Sequence, residues 1–215
     1  MIITKKWSMP NKETFSIRPI RELIDKYREE GMVIVDPFAR NSDIGTITND
    51  LDPETKAMYH KDATNFLCHL DDNIADMVLY DPPYSARQVS ESYKRLGGAV
   101  NMQTTQSSYW ARQKKEIARI TKKGGVVITC AWNSGGIGAG LGFEQQEILL
   151  VAHGGWHNDT IVTVERKMKL RRKGYSPQKN RGGCWSRPAF LSPPPSVSET
   201  SIWINYILWR MTLVV

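Results

Sequence analysis

Residues 81 to 84 read Asp81-Pro82-Pro83-Tyr84, directly behind the apolar run Met77-Val78-Leu79-Tyr80. Two consecutive prolines fix φ and remove two N–H donors, so an acid ahead of them is presented at a set angle beside backbone carbonyls. The tyrosine that follows adds a flat ring able to stack. Such a set suits an amino group on an aromatic base, whose lone pair is delocalised into the ring. Acceptors must draw on its hydrogens as the nitrogen attacks an electrophile, and a preorganised carboxylate and carbonyl do that. A second acid-proline pair, Asp36-Pro37-Phe38-Ala39-Arg40, follows Val33-Ile34-Val35, and further acids stand at Asp50, before Leu51, and at Asp62, before Ala63.

The elements that must carry these residues alternate. Ile20, Leu23, Ile24 and Tyr27 recur at helical spacing, with Pro19 near the first turn and Gly31 after the last, which predicts a helix over 19–30. Met32 to Val35, Thr46 to Asn49 and Asp76 to Tyr80 read as short buried strands, each cut off by an acidic or proline-containing turn. The polar stretch from Ser85 to about Ser108, with Gly97-Gly98, reads as loop. A basic amphipathic helix follows over 109–122, then the buried strand Val126 to Cys130. Glu147 to Ala152 and Thr160 to Glu165 are joined by a Gly/Asn/Asp turn and read as a hairpin. Strands alternating with helices and closing in a hairpin predict an α/β fold, a doubly wound, mostly parallel sheet with an antiparallel edge hairpin. The acidic motifs then fall at the carboxyl ends of strands, where such sheets hold ligands.

With 215 residues, 40% hydrophobic and 24% charged, the chain suits one α/β domain with a short appendage and excludes coiled-coil and wholly disordered classes. Charge divides it. Residues 166–215 hold ten basic residues against Glu199, a net +9, which leaves −2 for residues 1–165. The expected domains are therefore 1–165, the catalytic unit, and 166–215, a basic, Ser/Pro-containing tail. Lys167, Lys169, Arg171, Arg172 and Lys173 are its candidate contacts to a polyanion, nucleic acid first. Cys68, Cys130 and Cys184 form no metal-ligand spacing, and His153 and His157 flank a Gly-Gly loop, so no metal is expected. Gly135 to Gly140 lacks the Lys-Ser/Thr of a phosphate loop. The N-terminus has no apolar secretory core, and Ile202 to Val215 is too short for a membrane span of about 20 residues. A reducing cytoplasm is the expectation.

Together, Asp36-Pro37-Phe38-Ala39 and Asp81-Pro82-Pro83-Tyr84, 45 residues apart, resemble the S-adenosylmethionine-dependent amino-group DNA methyltransferases of the N6-adenine type, in the compact variety common in phage and mobile elements. The resemblance covers about residues 7–165. It implies a Rossmann-like sheet of the class I methyltransferase type, S-adenosylmethionine as cofactor, DNA as partner, and a bacterial or phage-infected host. It also implies roles: Asp81 to Tyr84 catalytic, Asp36 to Ala39 the cofactor loop, and Phe15, ahead of Pro19, packed on the cofactor. Asp50, with Leu51, would take its ribose hydroxyls, and Asp62, with Ala63, would meet its adenine. Family members continue the cofactor loop with glycines, whereas this chain has Arg40-Asn41-Ser42-Asp43-Ile44-Gly45, in which Asn41 and Gly45 could supply a positive-φ turn. RNA adenine, the N4 amine of cytosine in DNA, and a non-catalytic nucleic-acid-binding protein of the same fold are the alternatives.

Overall fold

Strand β4, Ala75–Tyr80, is buried on both faces because its alternating side chains serve two different cores. Met77 and Leu79 pack with Ile20, Leu23 and Ile24 of α1 (Arg18–Tyr27), while Val78 and Tyr80 pack with Phe66 and Leu67 of α2 (Ala63–His69) and Ile117 and Ile120 of α4 (Ser108–Ile120). The computed structural model describes residues 1–96, 108–155 and 157–168. Its other strands are β1 (Ile2–Trp7), β2 (Ile34–Asp36), β3 (Ile47–Thr48), β5 (Thr121–Ala131), β6 (Phe143–Ala152) and β7 (Thr160–Lys167). They form one seven-stranded sheet in the order β1-β6-β7-β5-β4-β2-β3. Only β7 runs against its neighbours, antiparallel to both β5 and β6. The doubly wound sheet and its antiparallel hairpin are as the sequence predicts.

Three features depart from the sequence reading. β1 lies outside the hairpin, parallel to β6 from Ile2 beside Glu147 to Trp7 beside Ala152, so it forms the outermost strand on that side. The stretch read as loop contains helix α3, Ala86–Arg95: Ser85 caps it by accepting from the Gln88 N–H at 3.3 Å, and Arg87 pairs with Glu91 at 2.7 Å one turn on. The boundary expected at 165 falls inside β7, where Arg166 stands opposite Val126 and Lys167 opposite Phe143. Lys169, Arg171, Arg172, Lys173, the Ser/Pro segment and the final apolar run lie outside the described residues. So do Gly97-Gly98.

The glycine-rich loop after β5 is closed from within the fold. The Glu165 carboxylate on β7 accepts from the backbone N–H groups of Ile137 (2.5 Å) and Gly138 (3.0 Å), filling the anion-binding cradle that such a loop makes. Gly136 sits at φ +47°, and a Cβ there would lie 2.2 Å from a Glu165 oxygen. Replacing Gly136 with alanine is therefore expected to destabilise the fold by about 2 kcal/mol or more. Thermal unfolding should show this as a drop of roughly 2–4 °C for each kcal/mol.

Candidate functional site

Four strands deliver their carboxyl ends to the same side of the sheet. β4 ends in Asp81-Pro82-Pro83-Tyr84, β2 in Asp36-Pro37, β3 in Thr48-Asn49-Asp50, and β5 in Ala131-Trp132. Asn49, wholly buried, locks two of these ends together: its N–H donates to the Asp36 carbonyl, its side-chain amide donates to the carbonyls of Pro37 and Lys61, and its side-chain oxygen accepts from Lys61 N–H. Nothing in the sequence marks this residue as more than a turn former.

A cleft of about 460 Å³ opens between these ends. Pro37, Phe38, Asp50, Leu51, Ala63 and Asp81 through Tyr84 line it, joined by Tyr93 and Arg95 of α3 and Tyr109 of α4. Beside it lies a smaller depression of about 150 Å³, lined by Phe15, Phe38, Ala39, Arg40, Ser42 and Asp81 among others. Across Tyr84 a third groove, about 310 Å³, is bounded by Gln88, Trp132, His157 and Asn158. The residues expected to act in catalysis and cofactor binding are thus brought together with two exceptions of position. Asp36 is wholly buried behind the cleft, and Asp62 caps α2, accepting from Asn65 N–H at 3.0 Å, with its other oxygen taken by the Tyr93 hydroxyl. Tyr93, not Asp62, forms the cleft wall there. Lys167, expected to meet a phosphate, stands beside the start of β5, away from these strand ends. Its ammonium donates to the Thr121 carbonyl at 2.6 Å.

Asp81 is held on several sides. The Tyr84 hydroxyl donates to its Oδ1 at 2.5 Å and the Thr14 hydroxyl also bonds it, while Arg40 is a nearby positive charge. Burial nevertheless pushes its carboxyl above the usual range, and the negative charge of Glu13 adds to that. Tyr84 is fixed in turn: its N–H donates to Gln88 Oε1 at 2.6 Å, and its ring meets Trp132 edge-on at 5.6 Å. Trp110 donates from Nε1 to the Pro83 carbonyl at 2.9 Å, and among the described residues none donates to the Pro82 carbonyl. The carboxylate and that carbonyl are the acceptors the tetrapeptide presents. Thr14, Gln88 and Trp110 were not legible as site residues, since they act through contacts 4 to 67 residues distant in the chain.

Asp50 accepts Arg40 N–H at 3.1 Å and Asp52 N–H at 2.9 Å, one on each oxygen. A carboxylate has about four acceptor positions, so two remain for a pair of hydroxyls. Asp36 Oδ1 accepts Phe38 N–H at 3.0 Å, but Oδ2 has no partner among the described residues. Burial drives its carboxyl well above the usual range, and the neighbouring charges of Asp81, Asp50 and Glu13 add to the shift. Arg40 takes φ +49°, so the positive-φ turn sits at the arginine and at neither Asn41 nor Gly45. His153 is buried and satisfied by Ser8 O and Thr160 Oγ1, both at 2.8 Å, and among the described residues no cluster of metal-ligating side chains occurs. No helix among them is long and apolar enough to cross a membrane.

No family model matches this chain, and no curated protein does. Among solved structures, the crystal structure of TrmN from Thermus thermophilus is similar at 15% identity and a TM-score of 0.45, over 71% of this chain. The chain spans about half of that neighbour, 49% of its length. A likeness of this degree assigns neither a substrate nor a residue's role. What the fold itself defines is an open, doubly wound α/β sheet with an acidic, aromatic cleft at its carboxyl edge.

Proposed function

We propose that this protein is an S-adenosylmethionine-dependent methyltransferase acting on the exocyclic amine of a nucleobase, the N6 amine of adenine in DNA. The observation that carries the reading is the meeting of Asp81-Pro82-Pro83-Tyr84 with Asp50, Leu51 and Phe38 around one cleft. Its volume suits a nucleoside-sized ligand, and the spare acceptor positions on Asp50 suit ribose hydroxyls. When bound, S-adenosylmethionine supplies an electrophilic sulfonium methyl.

The chain's own residues do the rest. Tyr84, braced by Trp132, offers its ring to the acceptor base, which the groove beyond it can receive. Gln88 and Asn158 place amides along that groove, able to donate to and accept from a base edge. The Asp81 carboxylate and the Pro82 carbonyl accept from the amino hydrogens and raise electron density on nitrogen as it reacts. The raised affinity of Asp81 for a proton also makes it a better acceptor of the one the amine must lose. An extruded base reaches such a site from a duplex at a cost of a few kcal/mol, less from a single strand.

The test is mass spectrometry of nucleosides from DNA and RNA of a methylation-deficient bacterial host producing this chain. N6-methyladenine in the DNA is expected. The same base in RNA alone, or N4-methylcytosine, would move the reading to one of the alternatives, and no new methyl group from a folded protein would favour a non-catalytic binder. Since Asp81 acts as an ionised acceptor, kcat/KM should fall on the acid side at a pH above the ordinary carboxylate range, as a pH profile would show.

A further inference from the structure

Thr14, Tyr84 and Gln88 line both the 460 Å³ cleft and the 310 Å³ groove. They form the seam at which a group bound on one side meets a group bound on the other. Two of them have their polar atoms engaged. The Tyr84 hydroxyl donates to Asp81, and the Thr14 hydroxyl bonds the same carboxyl. Gln88 differs, because only one end of its amide is taken.

The orientation of that amide follows from its neighbour. Tyr84 N–H faces it at 2.6 Å, and an N–H can meet only the acceptor end of an amide, so the oxygen lies against Tyr84. The Gln88 backbone is fixed as well: its N–H donates to Ser85 Oγ at 3.3 Å, and its carbonyl accepts from Ser92 Oγ at 2.9 Å. Nε2 has no acceptor among the described residues, and the residue is half-buried at the seam. A carboxamide pinned by its oxygen can only donate there, whereas the Pro82 carbonyl and an ionised Asp81 can only accept. Together they match an amino group flanked by a ring atom with a free lone pair.

We infer that Gln88 is a specificity-determining residue, donating from Nε2 to a ring nitrogen beside the exocyclic amine of the target base. This rests on the reading above, in which that amine meets Asp81 and the Pro82 carbonyl. Adenine offers such a nitrogen on either side of its amine, N1 and N7, and cytosine offers N3. Guanine carries hydrogen on N1, and thymine and uracil carry it on N3, so there the amide would set donor against donor. A buried donor left without its partner is what makes a site reject the wrong base. The bond adds no charge to the reaction. Its part is to hold the ring in the plane that aims the amine at the methyl group.

Gln88→Glu tests this, because glutamate keeps an oxygen for Tyr84 N–H and loses both amide donors. The substrates are oligonucleotides bearing the sequence modified in the host DNA, with adenine, 1-deazaadenine or 7-deazaadenine at the target. Each deaza base replaces one ring nitrogen by C–H and keeps the amine. The wild-type preference in kcat/KM for adenine over one of the two deaza bases is expected to shrink about tenfold to a hundredfold in Q88E. Intrinsic differences in reactivity divide out, since the same substrates meet both proteins, and any effect of the new charge falls on all three bases alike. A loss in Q88E that is equal on all three would make Gln88 a brace for Tyr84 and nothing more. No loss on any would remove it from the site. Wild-type protein that methylates none of the oligonucleotides would instead overturn the methyltransferase reading, and this inference with it.

Discussion

Replacing Asp81 with alanine is expected to cut methyl transfer by about a hundredfold to a thousandfold, the cost of losing one preorganised electrostatic partner in a site of this kind. The loss should fall on kcat, with cofactor binding little changed, because on the proposed function Asp50 and Leu51 hold the cofactor while Asp81 faces the reacting amine. Asparagine at 81 keeps an acceptor oxygen but no charge and should recover only part of the rate. The Tyr84 hydroxyl spends its hydrogen bond on Asp81, so Tyr84→Phe loosens the carboxylate yet keeps the ring, and should cost much less than the alanine at 81. Single-turnover measurements under saturating cofactor separate these. If Asp81→Ala lowered affinity for S-adenosylmethionine as much as the rate, the residue would be part of the binding site and not of the chemistry.

Asp36→Asn is expected to change stability in a pH-dependent way. The carboxyl is wholly buried, with one oxygen bonded to Phe38 N–H and the other unpartnered. Its proton is held more tightly in the folded chain than in the unfolded one. The sign follows: folding gains from this group below the unfolded carboxylate range, and the gain is lost as pH rises through its higher folded value. Asparagine cannot ionise. The variant should therefore match the wild type in acid and exceed it at pH 8 by about 1–3 kcal/mol, the cost of a poorly satisfied buried polar group. Thermal melts at pH 4 and pH 8 would read this as roughly 2–4 °C per kcal/mol in the alkaline sample. No difference between the two pH values would mean that Asp36 is ionised at little cost.

The legible parts of the fold are those whose apolar pattern is strong. Val126 to Cys130 and Met77 to Tyr80 are continuous apolar runs because helices cover both faces of the sheet, and α1 shows its Ile20, Leu23, Ile24 stripe plainly. α3 was not legible because it buries only Val89; its stability comes from a serine cap, an ion pair one turn apart and the bond from Ser92 to the Gln88 carbonyl. β1 was missed because its side chains are nearly all exposed, so no alternation betrays it. At the cleft, the residues to which the proposed chemistry is given were legible by type and position, as Asp81 to Tyr84 and Asp50 are. The residues that hold them, Asn49, Thr14 and Trp110, are set by long-range packing that no local spacing encodes. The turn at Arg40 shows the limit from the other side: propensity placed it on asparagine or glycine, and the bond from its N–H to Asp50 overrides that preference.

The placement of β1 sets the order in which the protein can be completed. Ile2 leaves the ribosome well before Glu147, its partner in the sheet. At about 5–20 residues per second, the strand waits roughly seven to thirty seconds for the β6 edge that receives it. Through that interval Ile2, Ile3 and Trp7, which stay exposed even in the finished sheet, have no β6 edge to pair with. Lys5 and Lys6, in the middle of the ribbon, are charges of the kind that keep such ribbons from joining one another. The six residues of β1 are thus made before β6 but built into the sheet only after it.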